Sequence, residues 1–252
     1  MSKAVMTIHG FLTDVNDFGR LYQFLDDYDC VFKCRIPGHN DDVDFSKFNA
    51  QDTFERVLKD FDELKKSYDQ VDVVGVSMGG ALATWLCSQR DVHKAVFVAP
   101  ANKYINFGSP LRLLKFYFDT YKDSFDNAEG PLAERVRIAK GAVDVYRDNT
   151  RKALRFAKER LVPNYNLHTL TAFAELIRDV NKALEQKGKI DTPSLLLWGK
   201  LDELVPKQSS EYVTKHFPNC RVKIYFDVSH LMFFSNKDDK IIADTVEFLR
   251  KK

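Results

Sequence analysis

Residues 71–80 read Val-Asp-Val-Val-Gly-Val-Ser-Met-Gly-Gly. The four valines of Val71–Val76 make a short, nearly continuous apolar run, the pattern of a strand buried on both faces of a parallel sheet. Met78–Arg90 continues at helical spacing, so the chain turns sharply from strand to helix at Ser77. A side chain thrust outward at such a corner crowds its own backbone. Small residues two positions away on either side relieve that crowding, and Gly75 and Gly79 stand at those positions. The start of the following helix directs unpaired N–H groups and a positive dipole end toward the same point. Ser77 is therefore a candidate nucleophile.

Outward from this corner, β-rich runs alternate with helical stretches. Ala4–His9, Cys30–Ile36, Ala95–Ala99, Ser194–Trp198 and Arg221–Phe226 read as further strands. Helices are expected over about Asp14–Asp27, Asp52–Tyr68, Lys207–Phe217 and from about Asp238 onward. The order implies an α/β fold with a mostly parallel sheet of about six strands and helices on both faces. Between Asn102 and Asp191 no strand of comparable quality occurs. The expected organisation is thus a core of residues 1–101 and 192–252, interrupted by a helical cap insertion at 102–191.

The insertion differs in charge from the rest. Residues 101–190 carry 17 Lys/Arg and 11 Asp/Glu, a net +6, while the whole chain is only +2. Leu111–Tyr121 holds seven apolar or aromatic residues in eleven positions. Such a helix suits burial against the core or an apolar lid over an acyl group. Leu114, Phe118 and, further along, His168 are the candidate substrate contacts.

A serine hydroxyl is a poor nucleophile until a neighbouring base takes its proton. Open α/β sheets place their sites at the carboxyl ends of the strands. Of the six histidines, His230 follows the last strand closely enough to reach that edge. His93 precedes its strand and falls at the other end, and His216 lies on a helix. A carboxylate must fix the tautomer of such a base. Asp202 lies just beyond the penultimate strand, and its chain neighbour Glu203 and the strand-proximal Asp227 compete with it. Backbone N–H groups of Phe11 and Met78 are the candidate donors to an oxyanion. His9 then shapes its loop, and Pro37-Gly38-His39 builds a turn.

Taken together, His9-Gly10-Phe11, Pro37-Gly38-His39, Gly75-Val76-Ser77-Met78-Gly79-Gly80, the Gly199…Asp202…Val205-Pro206 stretch and Ser229-His230 resemble the α/β-hydrolase superfamily. Within it, they are similar to compact carboxylesterases and monoacylglycerol-lipase-like members. The resemblance implies Ser77 as nucleophile, His230 as base, Asp202 as orienting acid, Phe11 and Met78 as oxyanion donors, and neither metal nor organic cofactor. It spans the chain apart from the insertion. Two departures concern substrate class: Asn40 stands where many relatives have glycine, and the insertion is long.

The expected function is cleavage of carboxylic esters with a short- to medium-chain acyl or monoacylglycerol-like group. A serine peptidase or an acyltransferase would use the same triad, and the remaining alternative, a non-catalytic ligand-binding relative, would have no reason to keep all three of its residues and the oxyanion loop. The basic insertion would suit acidic or phosphorylated esters. Near-balanced total charge gives no reason to expect nucleic acid. No apolar run approaches the roughly 18 residues of a membrane span, and the N-terminus lacks a secretory pattern, so the expected compartment is the cytoplasm. Cys30 and Cys34 lie in one strand about 13 Å apart, too far to bridge, and all four cysteines are expected as free, buried thiols. Oligomeric state has no signature in the chain.

Overall fold

The structure, a computed structural model, describes residues 1–40, 43–103, 118, 121–156 (145–156 by backbone alone), 166–202, 204–226, 228–235 and 237–251. Six strands, β1 Lys3–Ile8, β2 Cys30–Cys34, β3 Gln70–Val76, β4 Ala95–Val98, β5 Ser194–Gly199 and β6 Cys220–Tyr225, form one parallel sheet in the order β2-β1-β3-β4-β5-β6. Every strand thus ends at the same edge, where the connecting loops gather.

Successive residues of each strand point to opposite faces. On one face Met6, Ile8, Val73, Phe97, Leu196 and Trp198 pack beneath α1 Ala50–Ser67 and α2 Met78–Gln89. On the other, Val5, Val74, Val96, Val98 and Leu197 meet Phe18, Leu21 and the C-terminal helix Asp238–Arg250. Helix α1 starts where the Asn49 side chain accepts from Asp52 N–H at 2.8 Å and ends with Lys65 and Lys66 near its negative pole. Its buried residues Val57, Phe61 and Leu64 recur at helical spacing. Helix α2 is buried along all but its last residue, which explains why its sequence is apolar all round.

The chain divides into two compact units, Met1–Ile105 with Asn164–Lys252, and Asn106–Pro163. The second unit contains a helical stretch at 121–126 and α3 Leu132–Phe156. It is shorter than the insertion expected at 102–191. Helix α4 Leu167–Lys187 belongs to the first unit, because Phe173, Leu176, Val180 and Leu184 complete the core beside α1 and α2. After it come α5 Lys207–His216 and α6 Asp238–Arg250.

The helix expected at about Asp14–Asp27 is instead a run of turns followed by a short 3-10 helix, Gly19–Phe24. The reason is local: Asp14 Oδ1 accepts from Asn16 N–H at 2.9 Å, and Gly19 has φ +48. Short polar side chains that bond nearby backbone compete with the helix ladder, and a left-handed residue interrupts it. All four cysteines are free; Cys34 and Cys87 are buried, Cys30 and Cys220 half-buried. Among the described residues no helix is long and apolar enough to cross a membrane.

Candidate active site

Ser77 occupies the corner between β3 and α2 with φ 54 and ψ −114. The corner closes only because its flanking positions lack side chains. A Cβ at Gly75 would lie 2.1 Å from Gly79 O, and one at Gly79 would lie 1.9 Å from Ile8 O. The Ser77 backbone is tied to the end of β4, its N–H donating to Val98 O at 2.9 Å and its carbonyl accepting from Ala101 N–H at 3.0 Å. Ser77 itself is half-buried between buried Val76 and Met78.

The loops after β5 and β6 run side by side, joined by Leu201 N–H to Val228 O at 3.1 Å. Across them His230 Nδ1 donates to Asp202 Oδ2 at 2.8 Å, with both side chains almost wholly buried. Asp202 Oδ1 accepts from Leu204 N–H at 2.9 Å and Val205 N–H at 2.7 Å. The carboxylate is thus held on both oxygens, and its bond to Nδ1 leaves the lone pair of the neutral ring on Nε2. The competing acids Glu203 and Asp227 lie outside the described residues. Beyond His230 the chain doubles back toward the loop after β1, where the Phe233 and Phe18 rings stand 5.9 Å apart.

That loop after β1 completes the setting. A Cβ built at Gly10 would be 3.4 Å from Ser77 Cβ. Among the described residues, no backbone acceptor takes the N–H of Phe11 or of Met78. His9 is buried, with Nδ1 2.9 Å from Gly10 O and Nε2 accepting from Ile36 N–H at 3.4 Å. A carbonyl can only accept, so Nδ1 carries the proton. Burial, the largest influence, pulls the His9 pKa down to about 4, against the pull of Gly10 O and Asp14. Burial likewise takes His39 down to about 3, helped by His9. Both rings are neutral structural groups at ordinary pH.

Phe11 packs at 4.4 Å from Phe173 of α4 and 5.7 Å from Phe48, with His39 edge-on to Phe45 and Phe48. This aromatic wall beside the loop was not legible in the sequence, since its members come from three distant segments.

The other expected residues are scattered. His168 is exposed at the start of α4, Phe118 is 68% exposed in the second unit, and Leu114 lies outside the described residues. His93 bonds Asp72 at 2.6 Å at the amino end of the sheet, beside a cavity of about 810 Å³ remote from Ser77. His216 is buried against Tyr212 O. Two polar groups near the corner had no reading from sequence, Thr13 and Asp17. Among the described residues no cluster of three or more His, Cys, Asp or Glu could hold a metal.

Residues 3–237 match the family described as alpha/beta hydrolase fold. The chain is 24% identical over 242 residues to the pimeloyl-(acyl-carrier protein) methyl ester esterase of Chromobacterium violaceum, covering 95% of this chain and 91% of the relative. Among solved structures it is similar to a lipase-esterase related protein from Clostridium acetobutylicum (TM-score 0.64, 18% identity, 98% of this chain and 94% of the other). It is also similar to an esterase from Exiguobacterium antarcticum (TM-score 0.65, 15% identity, 99% and 92%).

Proposed function

The chain belongs to the alpha/beta hydrolase fold family, and from that premise we propose that it is a serine hydrolase of carboxylic esters. Ser77 is its nucleophile, His230 its base and Asp202 the acid that orients the base. The observation that carries this reading is the pairing of a buried Asp202–His230 hydrogen bond with a serine held at a strained, half-open corner of the same sheet edge.

In the reaction, Ser77 Oγ attacks the ester carbonyl while His230 Nε2 accepts its proton. The oxygen that becomes negative is stabilised by N–H groups of Phe11 and Met78, the latter at the positive end of α2. His230 passes its proton to the leaving alcohol as the C–O bond breaks, leaving an acyl group on Ser77. A water then gives a proton to His230, attacks the acyl carbonyl, and releases the acid as the proton returns to Ser77. Asp202 stabilises the imidazolium in both halves without taking the proton.

The aromatic wall of Phe11, Phe48 and Phe173 supports an apolar acyl group. The pimeloyl-(acyl-carrier protein) methyl ester esterase among its relatives makes methyl esters a sensible part of the substrate range to try. The test is labelling by a fluorophosphonate together with turnover of esters varied in chain length, charge and alcohol. Wild type should label at one site and Ser77→Ala should not, with turnover lowered about 10⁶-fold. Asp202→Asn should lower kcat about 10⁴-fold because the tautomer is no longer enforced. Full activity in Ser77→Ala would overturn the reading.

A further inference from the structure

Gly10 is gripped on both of its peptide groups by side chains that the reaction above does not use. Its N–H donates to Asp17 Oδ2 at 2.7 Å. Its carbonyl oxygen accepts from Thr13 Oγ1 at 2.9 Å and from His9 Nδ1 at 2.9 Å. Thr13 Oγ1 is also hydrogen-bonded to Asp17 Oδ2. In a trans peptide the C=O and N–H point in opposite directions. The donors holding the Gly10 carbonyl therefore also set the direction of the Phe11 N–H, which shares that peptide plane. Two residues on, Leu12 is fully buried with φ +59. Such a conformation in a branched residue persists only where its surroundings over-determine it.

We propose that Asp17 is a positioning residue for ester hydrolysis, acting through Thr13 and Gly10 to aim the Phe11 N–H at the oxyanion. This rests on the serine-esterase reading. The grip depends on where a single hydroxyl proton goes. Thr13 has one hydroxyl proton and two neighbours that can take it. With Asp17 ionised, the carboxylate takes that proton and Gly10 O keeps only His9. With Asp17 protonated, the carboxyl donates to Thr13, Thr13 donates to Gly10 O, and every group in the cluster is paired.

Burial favours the neutral form, which predominates only below about pH 6. Burial, the largest influence, raises the Asp17 pKa from 3.8 to about 6; the hydrogen bonds from Thr13 and Gly10 N–H pull it down. Asp14 pushes it up and His230 pulls it down. The influence of His230 places Asp17 within electrostatic reach of the proposed base. An amide side chain keeps the arrangement with its oxygen in the place of Oδ2, accepting from both Gly10 N–H and Thr13 Oγ1.

The experiment compares wild type, Asp17→Ala, Asp17→Asn and Thr13→Val on an aryl ester, with inhibition by an alkyl boronic acid. The boronate adduct on the serine carries the tetrahedral oxygen that oxyanion donors bind. Since losing one such donor costs about 10²–10³ in kcat, a misaimed one in Asp17→Ala should cost about 10- to 100-fold. KM should stay within about twofold and boronate affinity should fall by the same factor as kcat. Asp17→Asn should keep kcat within about threefold of wild type, because its amide oxygen accepts from Gly10 N–H and Thr13 as the carboxylate oxygen does. Unchanged kcat in Asp17→Ala, or an Asn variant as impaired as Ala, would overturn the proposal. Should Asp17→Ala not fold, Thr13→Val decides, a lowered kcat with unchanged KM supporting it and an unchanged kcat overturning it. Wild type that neither hydrolyses esters nor binds the boronate defeats the serine-esterase reading and this one with it. An active wild type with indifferent variants defeats this one alone.

Discussion

At the scale of single residues, Ser77 bears a conflict between backbone and side chain. Its φ of 54 and ψ of −114 suit glycine, and any residue with a Cβ is strained there. Ser77→Ala keeps the strain and Ser77→Gly removes it, so the glycine variant should be the more stable of the two. Relief of about 1–2 kcal/mol is partly offset by the greater freedom of glycine in the unfolded chain, leaving about 1 kcal/mol. Denaturant unfolding of the two variants measures the difference, and equal stabilities would show that the corner is unstrained. The corner was readable from sequence because its cause is local: Gly75 and Gly79 flank the residue they make room for. Asp17 was not, because its grip on Gly10 N–H depends on how the whole loop after β1 folds back on itself, which no periodicity in the sequence announces.

At the scale of elements, the site depends on how closely α2 crosses the end of β1. A Cβ at Gly79 would meet Ile8 O at 1.9 Å and His9 O at 2.5 Å, both backbone atoms that no rotamer change can move aside. Gly79→Ala should therefore destabilise by about 3 kcal/mol or more, although alanine is favoured over glycine within a helix by about 1 kcal/mol. Gly141→Ala on α3 is the control, since a Cβ there meets nothing within 4 Å. It should be neutral or stabilising by up to about 1 kcal/mol. Thermal unfolding of both variants checks the contrast. The six strands were legible within a residue or two, because apolar periodicity reports burial directly. The place of α4 was not. Its stripe of Phe173, Leu176, Val180 and Leu184 shows that the helix is buried, but not against which element.

At the scale of the whole molecule, buried titratable groups set the response to acid. His9 and His39 have pKa values lowered from 6.5 to about 4 and about 3, so the unfolded chain binds protons in a range where the folded chain does not. Their contribution is present above pH 6.5 and is lost as pH falls from there toward 3–4. Each should remove about 2 kcal/mol between pH 7 and pH 5. Asp17 has the opposite sign. With its folded pKa raised to about 6, its contribution is complete below 3.8 and is lost as pH rises through 6, so acidification restores about 1 kcal/mol. Unfolding free energies at pH 7 and pH 5 should thus show a net fall of about 2–3 kcal/mol, and a stability unchanged over that interval would contradict these assignments. The sequence alone determined the alternation of strands and helices, the sharp corner at Ser77, and the order of Ser77, Asp202 and His230 along the strand ends. These follow from periodicity and turn chemistry, which act between residues a few positions apart. Only the tertiary structure decided that Asp202 carries a bond to His230, that Phe11 meets Phe48 and Phe173, that α4 completes the core, and that Asp17 holds Gly10. Each of these is a contact through space, set by sheet order and close packing rather than by spacing along the chain.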